Sequence, residues 1–159
     1  MEQRLTLREI REEDLPIIFE HEQDPEAIHM AAFTPKDPTD RDAFMAHWQR
    51  LLQSETIIKR TILLDDSVVG HIASWVQDDD REITYWIDRH HWRKGVATTA
   101  VQLFLDEVST RPLFARAAKD NTGSARVLEK CGFVIVGPER GYANARATEI
   151  DELVFRLDS

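Results

Sequence analysis

The chain has 159 residues, of which 42% are hydrophobic and 31% charged, with a formal net charge of -9. That length supports one domain with its own core, so a single unit over residues 1–159 is expected. An acidic chain is a poor partner for phosphate backbones, which excludes general nucleic-acid binding, and no apolar stretch approaches the roughly 20 residues needed to span a bilayer.

The opening MEQRLTLREIREED is charged and lacks an apolar leader segment, which points to a cytoplasmic protein. Leu5 to Leu7 alternates and predicts a first strand. Arg11 to Gln23 has acidic residues in its first turn and an early proline, both helix-start signals. DPEAIHMAAFTPKDP, with three prolines, reads as a loop carrying a short helical piece. Thr39 or Asp40 can cap the next helix, where Phe44, Trp48, Leu51 and Leu52 share one face. TIIKRTILL, VVGHIASWV and EITYWI follow, joined by Asp65–Ser67 and Gln77–Arg81. Three such runs with short turns predict an antiparallel meander.

After Ile87 the period changes. Ala97, Ala100, Val101, Phe104, Leu105 and Val108 recur at helical spacing. LFARAA reads as a strand, Asp120, Asn121 or Thr122 can cap a helix through Cys131, and Gly132 ends it. FVIV and the alternating Leu153, Phe155 and Leu157 complete the elements. The strand–helix–strand over residues 82–118 predicts one parallel pair in an otherwise antiparallel sheet, a mixed α/β (α+β) fold. The lone Cys131 lies on an apolar face, reads as a structural thiol, and excludes an intrachain disulfide.

The segment HHWRKGVATTAVQLFL joins a strand to a helix. A helix N-terminus offers unpaired N–H groups and partial positive charge. Gly95 lets backbone approach a ligand, Val96, Ala97 and Thr98 add donors, and Arg93 and Lys94 add full charge. Together they form a candidate diphosphate cradle. The alternative is a solvated basic turn. Neither GxxxxGK[ST] nor GxGxxG is present. His90 and His91 are adjacent, not at i, i+4, and His21-Glu22 lacks the rest of HExxH, so no metal site is expected. Asp78 to Asp80 lacks the calcium-loop pattern and reads as a hairpin turn.

EITYWIDRHHWRKGVATTAVQLFLDEV resembles the acetyl-CoA-binding segment of the GNAT superfamily of acetyltransferases. Trp92-Arg-Lys-Gly95-Val-Ala97 occupies the family's Q/R-x-x-G-x-G/A, with Trp92 in place of Gln or Arg. W-x-K-G-x-A-T is the form of the branch that resembles RimJ and RimL. Asn121-Thr-Gly-Ser124, continuing to Gly132-Phe133, is similar to that branch's N-x-x-S-x-x-x-x-x-K-x-G-F. The resemblance implies the GNAT fold: a mostly antiparallel central sheet with a splayed parallel pair, flanked by helices. It implies acetyl-CoA as co-substrate, no metal, and transfer of acetyl to a primary amine by direct attack. It implies that residues Trp92, Arg93, Lys94, Gly95, Val96, Ala97 and Thr98 hold the pyrophosphate and that the strand ending at Ile87 pairs with the pantetheine arm. Asn121 and Ser124 would then bond CoA near its thiol.

The chemistry needs a base, because a lysine amine has a pKa of about 10.4 and an α-amino group about 8. Glu82 is the first candidate, against the alternative of an ordinary strand carboxylate; Glu149 and Asp151 are runners-up. A backbone N–H near Ile87 is the family-style oxyanion donor. Leu128 stands where many members have a tyrosine acid, which leaves Ser124 to bond the departing sulfur or simply to start a helix. Tyr85 either faces the cleft or packs. The acceptor is an amine, at a peptide or protein N-terminus or on a small molecule, met by the N-terminal helices, the loop around Pro25 to Pro38 and the segment from Pro138 to Glu149. An acidic surface attracts such cations. An acyl-CoA-binding module with little catalysis is the alternative function. The apolar faces do not decide between a monomer and a homodimer.

Overall fold

The computed structural model describes residues 3–159. Strand β1 (Leu5–Glu9) leads through a 3₁₀ turn (Glu12–Asp14) into helices α1 (Leu15–His21), α2 (Pro25–Ala31) and α3 (Arg41–Gln53). The meander follows as β2 (Ile58–Leu64), β3 (Ser67–Gln77) and β4 (Asp80–Ile87). Helix α4 (Val96–Glu107), β5 (Leu113–Ala118), α5 (Thr122–Lys130), β6 (Val134–Ala143) and β7 (Thr148–Leu157) complete the chain.

Caps account for most boundaries. Asp24, Asp40 and Asn121 each accept a backbone N–H from the third residue on, at α2, α3 and α5. Of the two residues expected to cap α3, Asp40 does so. Gly132, at φ 96°, ends α5 in the left-handed region. Asp78 and Asp79 take φ of 51° and 69°, the backbone of a tight hairpin turn.

The seven strands form one sheet in the order β1-β2-β3-β4-β5-β7-β6. Every pairing is antiparallel except β4 with β5. One face packs on α4 and α5 through Ile62, Ile72, Ile83, Phe104, Leu113, Leu128 and Phe155. The other face meets α1 and α3 through Leu15, Ile18 and Trp48, with Phe44 and Leu51 on the predicted helical stripe. Asp14 fastens the N-terminal turn: Arg8 grips it with two hydrogen bonds (2.7 and 2.9 Å), and Thr61 Oγ1 and the Arg11 N–H donate to it. Burial pushes its carboxyl up, but these donors outweigh that and hold it below the usual carboxylate range.

One expectation needs correction. The helix expected over Arg11 to Gln23 is a 3₁₀ turn followed by the seven-residue α1. The segment from Pro138 to Glu149, which the sequence left without an element, is mostly strand: β6 runs through Gly137 and Pro138 to Ala143, and β7 begins at Thr148. Strand β6 is the sheet's edge, where a proline removes no ladder bond, and its register shifts between Ile135 and Gly137.

Candidate active site

Strands β4 and β5 run together for only three residue pairs, Arg81–Leu113, Glu82–Phe114 and Ile83–Ala115. Past Ile83 they diverge. In an antiparallel ladder the backbone groups of successive residues point to alternate sides. Asp88 N–H donates to Val69 O at 2.8 Å, so Trp86 and Thr84, in step with Asp88, face β3. Tyr85 and Ile87 therefore turn their N–H and C=O toward β5, where no strand meets them. The Ile87 carbonyl accepts from the Trp92 indole at 2.9 Å. Left without a strand partner along the wedge are the Ile87 N–H and both backbone groups of Tyr85.

The cradle lies just beyond the wedge. Gly95 is the N-cap of α4 at φ 78°, with no side-chain cap. The helix's first backbone bond runs from Thr99 N–H to Gly95 O, so the N–H groups of Val96, Ala97 and Thr98 have no intrahelical acceptor. Arg93 also adopts a left-handed φ, 63°, uncommon for a residue with a Cβ. A Cβ on Gly95 would meet nothing within 4 Å. Glycine is thus required there by backbone rotation, and the space before it is open. Arg93 and Lys94 are exposed and join no ion pair among the described residues. Free donors, unpaired cations and open space fit a diphosphate.

Across the wedge, the Tyr85 hydroxyl and Ser124 Oγ are 2.7 Å apart, linking β4 to α5. Burial pushes the Tyr85 phenol up to about 12. Asn121 spends its side chain within the protein: its oxygen accepts from Ser124 N–H, and its amide donates to Met30 O at 3.3 Å. Leu128 is 1% exposed, so no acid occupies that position.

Glu82 projects from the opposite face of β4. It is buried and pairs with Arg116 at 3.1 Å. Arg116 also holds Glu139 and Glu152, so one guanidinium meets three carboxylates and its own pKa is raised. Burial raises the Glu152 carboxyl, partly offset by Arg116. The runners-up are elsewhere. Glu149 and Asp151 pair with Arg140, and strand alternation puts them on the other sheet face from Glu152.

One carboxylate escaped the sequence reading. The Trp86 indole donates to His21 O at 3.3 Å, which holds the end of α1 over the splayed half of β4. Glu22 caps that end, with no hydrogen bond or ion pair to its carboxylate among the described residues. Burial alone pushes it up to about 7. In sequence it was half of an incomplete HExxH, and nothing local signals its burial. His90 and His91 both lean on Asp88, at 3.3 and 3.9 Å. Among the described residues no three His, Cys, Asp or Glu side chains converge to hold a metal, and no helix is long and apolar enough to cross a membrane.

Residues 4–134 match the sequence family described as the acetyltransferase (GNAT) domain. A Bacillus licheniformis protein described as an uncharacterized N-acetyltransferase, p20, is 28% identical over 165 residues, covering 98% of this chain and 93% of that protein. The fold is similar to Vibrio cholerae spermidine N-acetyltransferase in complex with CoA and spermine: TM-score 0.79, 18% identity, 96% of this chain and 95% of that one. It is also similar to RimL, a ribosomal L7/L12 α-N-protein acetyltransferase in complex with CoA, with TM-score 0.79, 17% identity and coverage of 97% and 94%.

Proposed function

The chain belongs to the acetyltransferase (GNAT) domain family and is an acyltransferase, and from that premise we propose that it moves acetyl from acetyl-CoA to a primary amine by direct attack, without a covalent enzyme intermediate. The observation that carries this is the uncapped α4 N-terminus beside unpaired Arg93 and Lys94, opening onto the β4–β5 wedge. Val96, Ala97 and Thr98 donate backbone N–H to the diphosphate. Tyr85 offers its unpaired backbone groups to the amides of the pantetheine arm, and the Ile87 N–H serves the oxyanion. Ser124 donates to the departing sulfur. Asn121 acts through the helix it caps, holding Ser124 in place.

The amine must lose a proton. Glu82 is the base in our reading, fixed by Arg116 on the face that α1 and α2 overlie. Glu22 is a second candidate, because burial brings it near neutrality, where a general base works best. Glu82, Glu139 and Glu152 outnumber Arg116, and this excess of negative charge suits a cationic acceptor. The W-x-K-G-x-A-T segment and the fold of RimL favour a peptide or protein N-terminus; the spermine bound by the Vibrio enzyme favours a small polyamine. We assign the RimJ/RimL-like branch on the strength of the W-x-K-G-x-A-T segment and the fold of RimL. A second reading, an acyl-CoA-binding module with little turnover, draws on Leu128 and on the ion pair that engages Glu82.

Calorimetric titration with acetyl-CoA, with dephospho-CoA and ATP as controls, tests the proposal. Saturable binding selective for acetyl-CoA is expected, followed by turnover in an amine screen. Binding without turnover favours the module, and no binding by folded protein removes the cradle.

A further inference from the structure

Ser124 has one hydroxyl proton, and that limits what it can do. If it donates to Tyr85, nothing remains for a thiolate. If it accepts from Tyr85, its own proton is free to point into the wedge. The 2.7 Å contact between the two oxygens permits either arrangement. The surroundings choose between them. Tyr85 packs against the core, and its hydroxyl has no other hydrogen-bond partner among the described residues. A half-buried phenol with one protein neighbour is satisfied by donating to it. Ser124 lies in the first turn of α5, also half-buried, and with Tyr85 as the donor its own proton is left for solvent or substrate.

We propose that Tyr85 is a positioning residue for the transfer: its hydroxyl donates to Ser124 Oγ and so aims the Ser124 proton at the sulfur of CoA. This rests on the reading of Ser124 given above and adds the residue that orients it. In the step itself the amine nitrogen forms a bond to the acetyl carbon and the C–S bond breaks. Its electron pair stays on sulfur, the amine proton goes to the base, and the Ser124 hydroxyl bonds the thiolate. Tyr85 keeps its proton throughout. The phenol pushed up to about 12 agrees with that part. A chain of two hydroxyls is also stronger than a lone one, because each bond polarises the next.

The test reads the ionisation of CoA bound to the enzyme, by ultraviolet absorbance of the thiolate across pH, beside steady-state kinetics. In the wild type, bound CoA should ionise at lower pH than free CoA. Tyr85→Phe should cut the thiolate fraction at fixed pH by about tenfold, the lower end of what a hydrogen bond to a charged group supplies. It should lower kcat by a similar factor and leave the KM for acetyl-CoA nearly unchanged. Ser124→Ala should do the same or more. If Ser124→Ala moves the thiol and Tyr85→Phe does not, the Tyr85 role is overturned while that of Ser124 stands. If neither moves it, both readings fall. A purely structural Tyr85 would lower stability without shifting the thiol. Fluorotyrosine at position 85 covers a misfolded Tyr85→Phe: it keeps the ring and strengthens the donor, so bound CoA should ionise at lower pH still. No shift there also overturns the proposal.

Discussion

His71 lies near the middle of β3, 6% exposed, with Nδ1 buried and lacking a hydrogen-bond partner. Its ring meets Trp48 of α3 edge-on at 5.3 Å. Burial, helped by nearby His21, pushes it down to about 3. An unfolded histidine titrates near 6.5. Between those values the unfolded chain binds a proton that the native protein refuses, so stability falls as pH drops from about 6.5 toward 3. At pH 5 the gap spans about 1.5 pH units, and at about 1.4 kcal/mol per unit that is about 2 kcal/mol. At pH 8 both states are neutral and the contribution vanishes. His71→Phe keeps an aromatic edge against Trp48 and removes the titration. Urea denaturation of both proteins at pH 8 and pH 5 should show the variant gaining about 2 kcal/mol on the wild type at the lower pH. Parallel pH dependences would refute the reasoning, and would mean that water or a partner reaches Nδ1.

Gly95→Trp should weaken CoA binding by at least about tenfold. The left-handed φ alone costs about 1–2 kcal/mol, and the indole occupies the open space before the cradle. Unchanged affinity in a folded variant would remove this loop from the site. Glu82→Gln and Glu22→Gln separate the two bases. Loss of the true base should cost about 10²–10⁴ in turnover near neutral pH and less at high pH, where the amine deprotonates unaided. A pH-independent loss strikes that residue from the role. Asp14→Asn should cost about 2 kcal/mol in chemical denaturation, because the charge-assisted bonds to the buried carboxylate are lost while Arg8, 27% exposed, keeps some contact with water. In the wild type the Asp14 contribution is present above the ordinary carboxylate range and is lost as pH falls through its depressed value. A cost below about 1 kcal/mol would mean that water screens the pair.

The sheet and its parallel pair were legible because their signals are local. The α4 stripe from Ala97 to Val108 and the alternation of Leu153, Phe155 and Leu157 need no tertiary knowledge. The open helix start proposed as a cradle was legible for the same reason, since a glycine at a strand–helix join marks a left-handed turn ahead of a helix N-terminus. The run of β6 through Pro138 was not legible, because a proline says nothing about which strand ends up at an edge. The cluster around Glu82 was also hidden: its partner Arg116, and the Glu139 and Glu152 that share that guanidinium, lie 34, 57 and 70 positions away along the chain. The same holds for Tyr85 and Ser124, 39 residues apart. Pattern alone gave Tyr85 two readings, lining a cleft or packing. In the structure it packs on the core and reaches Ser124.

The parting of β4 from β5 gives this sheet four margins instead of two. The outer pair, β1 and β6, face solvent. The inner pair face each other across a gap that closes at Ile83. An exposed strand margin invites a foreign strand, with the risk of runaway association. Here the closed end denies it. A full strand needs about 4.8 Å on either side along its whole length, and a V supplies that room only near its mouth. A slender flexible chain carrying one or two amides needs less of that room than a polypeptide does. The taper thus sorts visitors by thickness before any side chain is consulted.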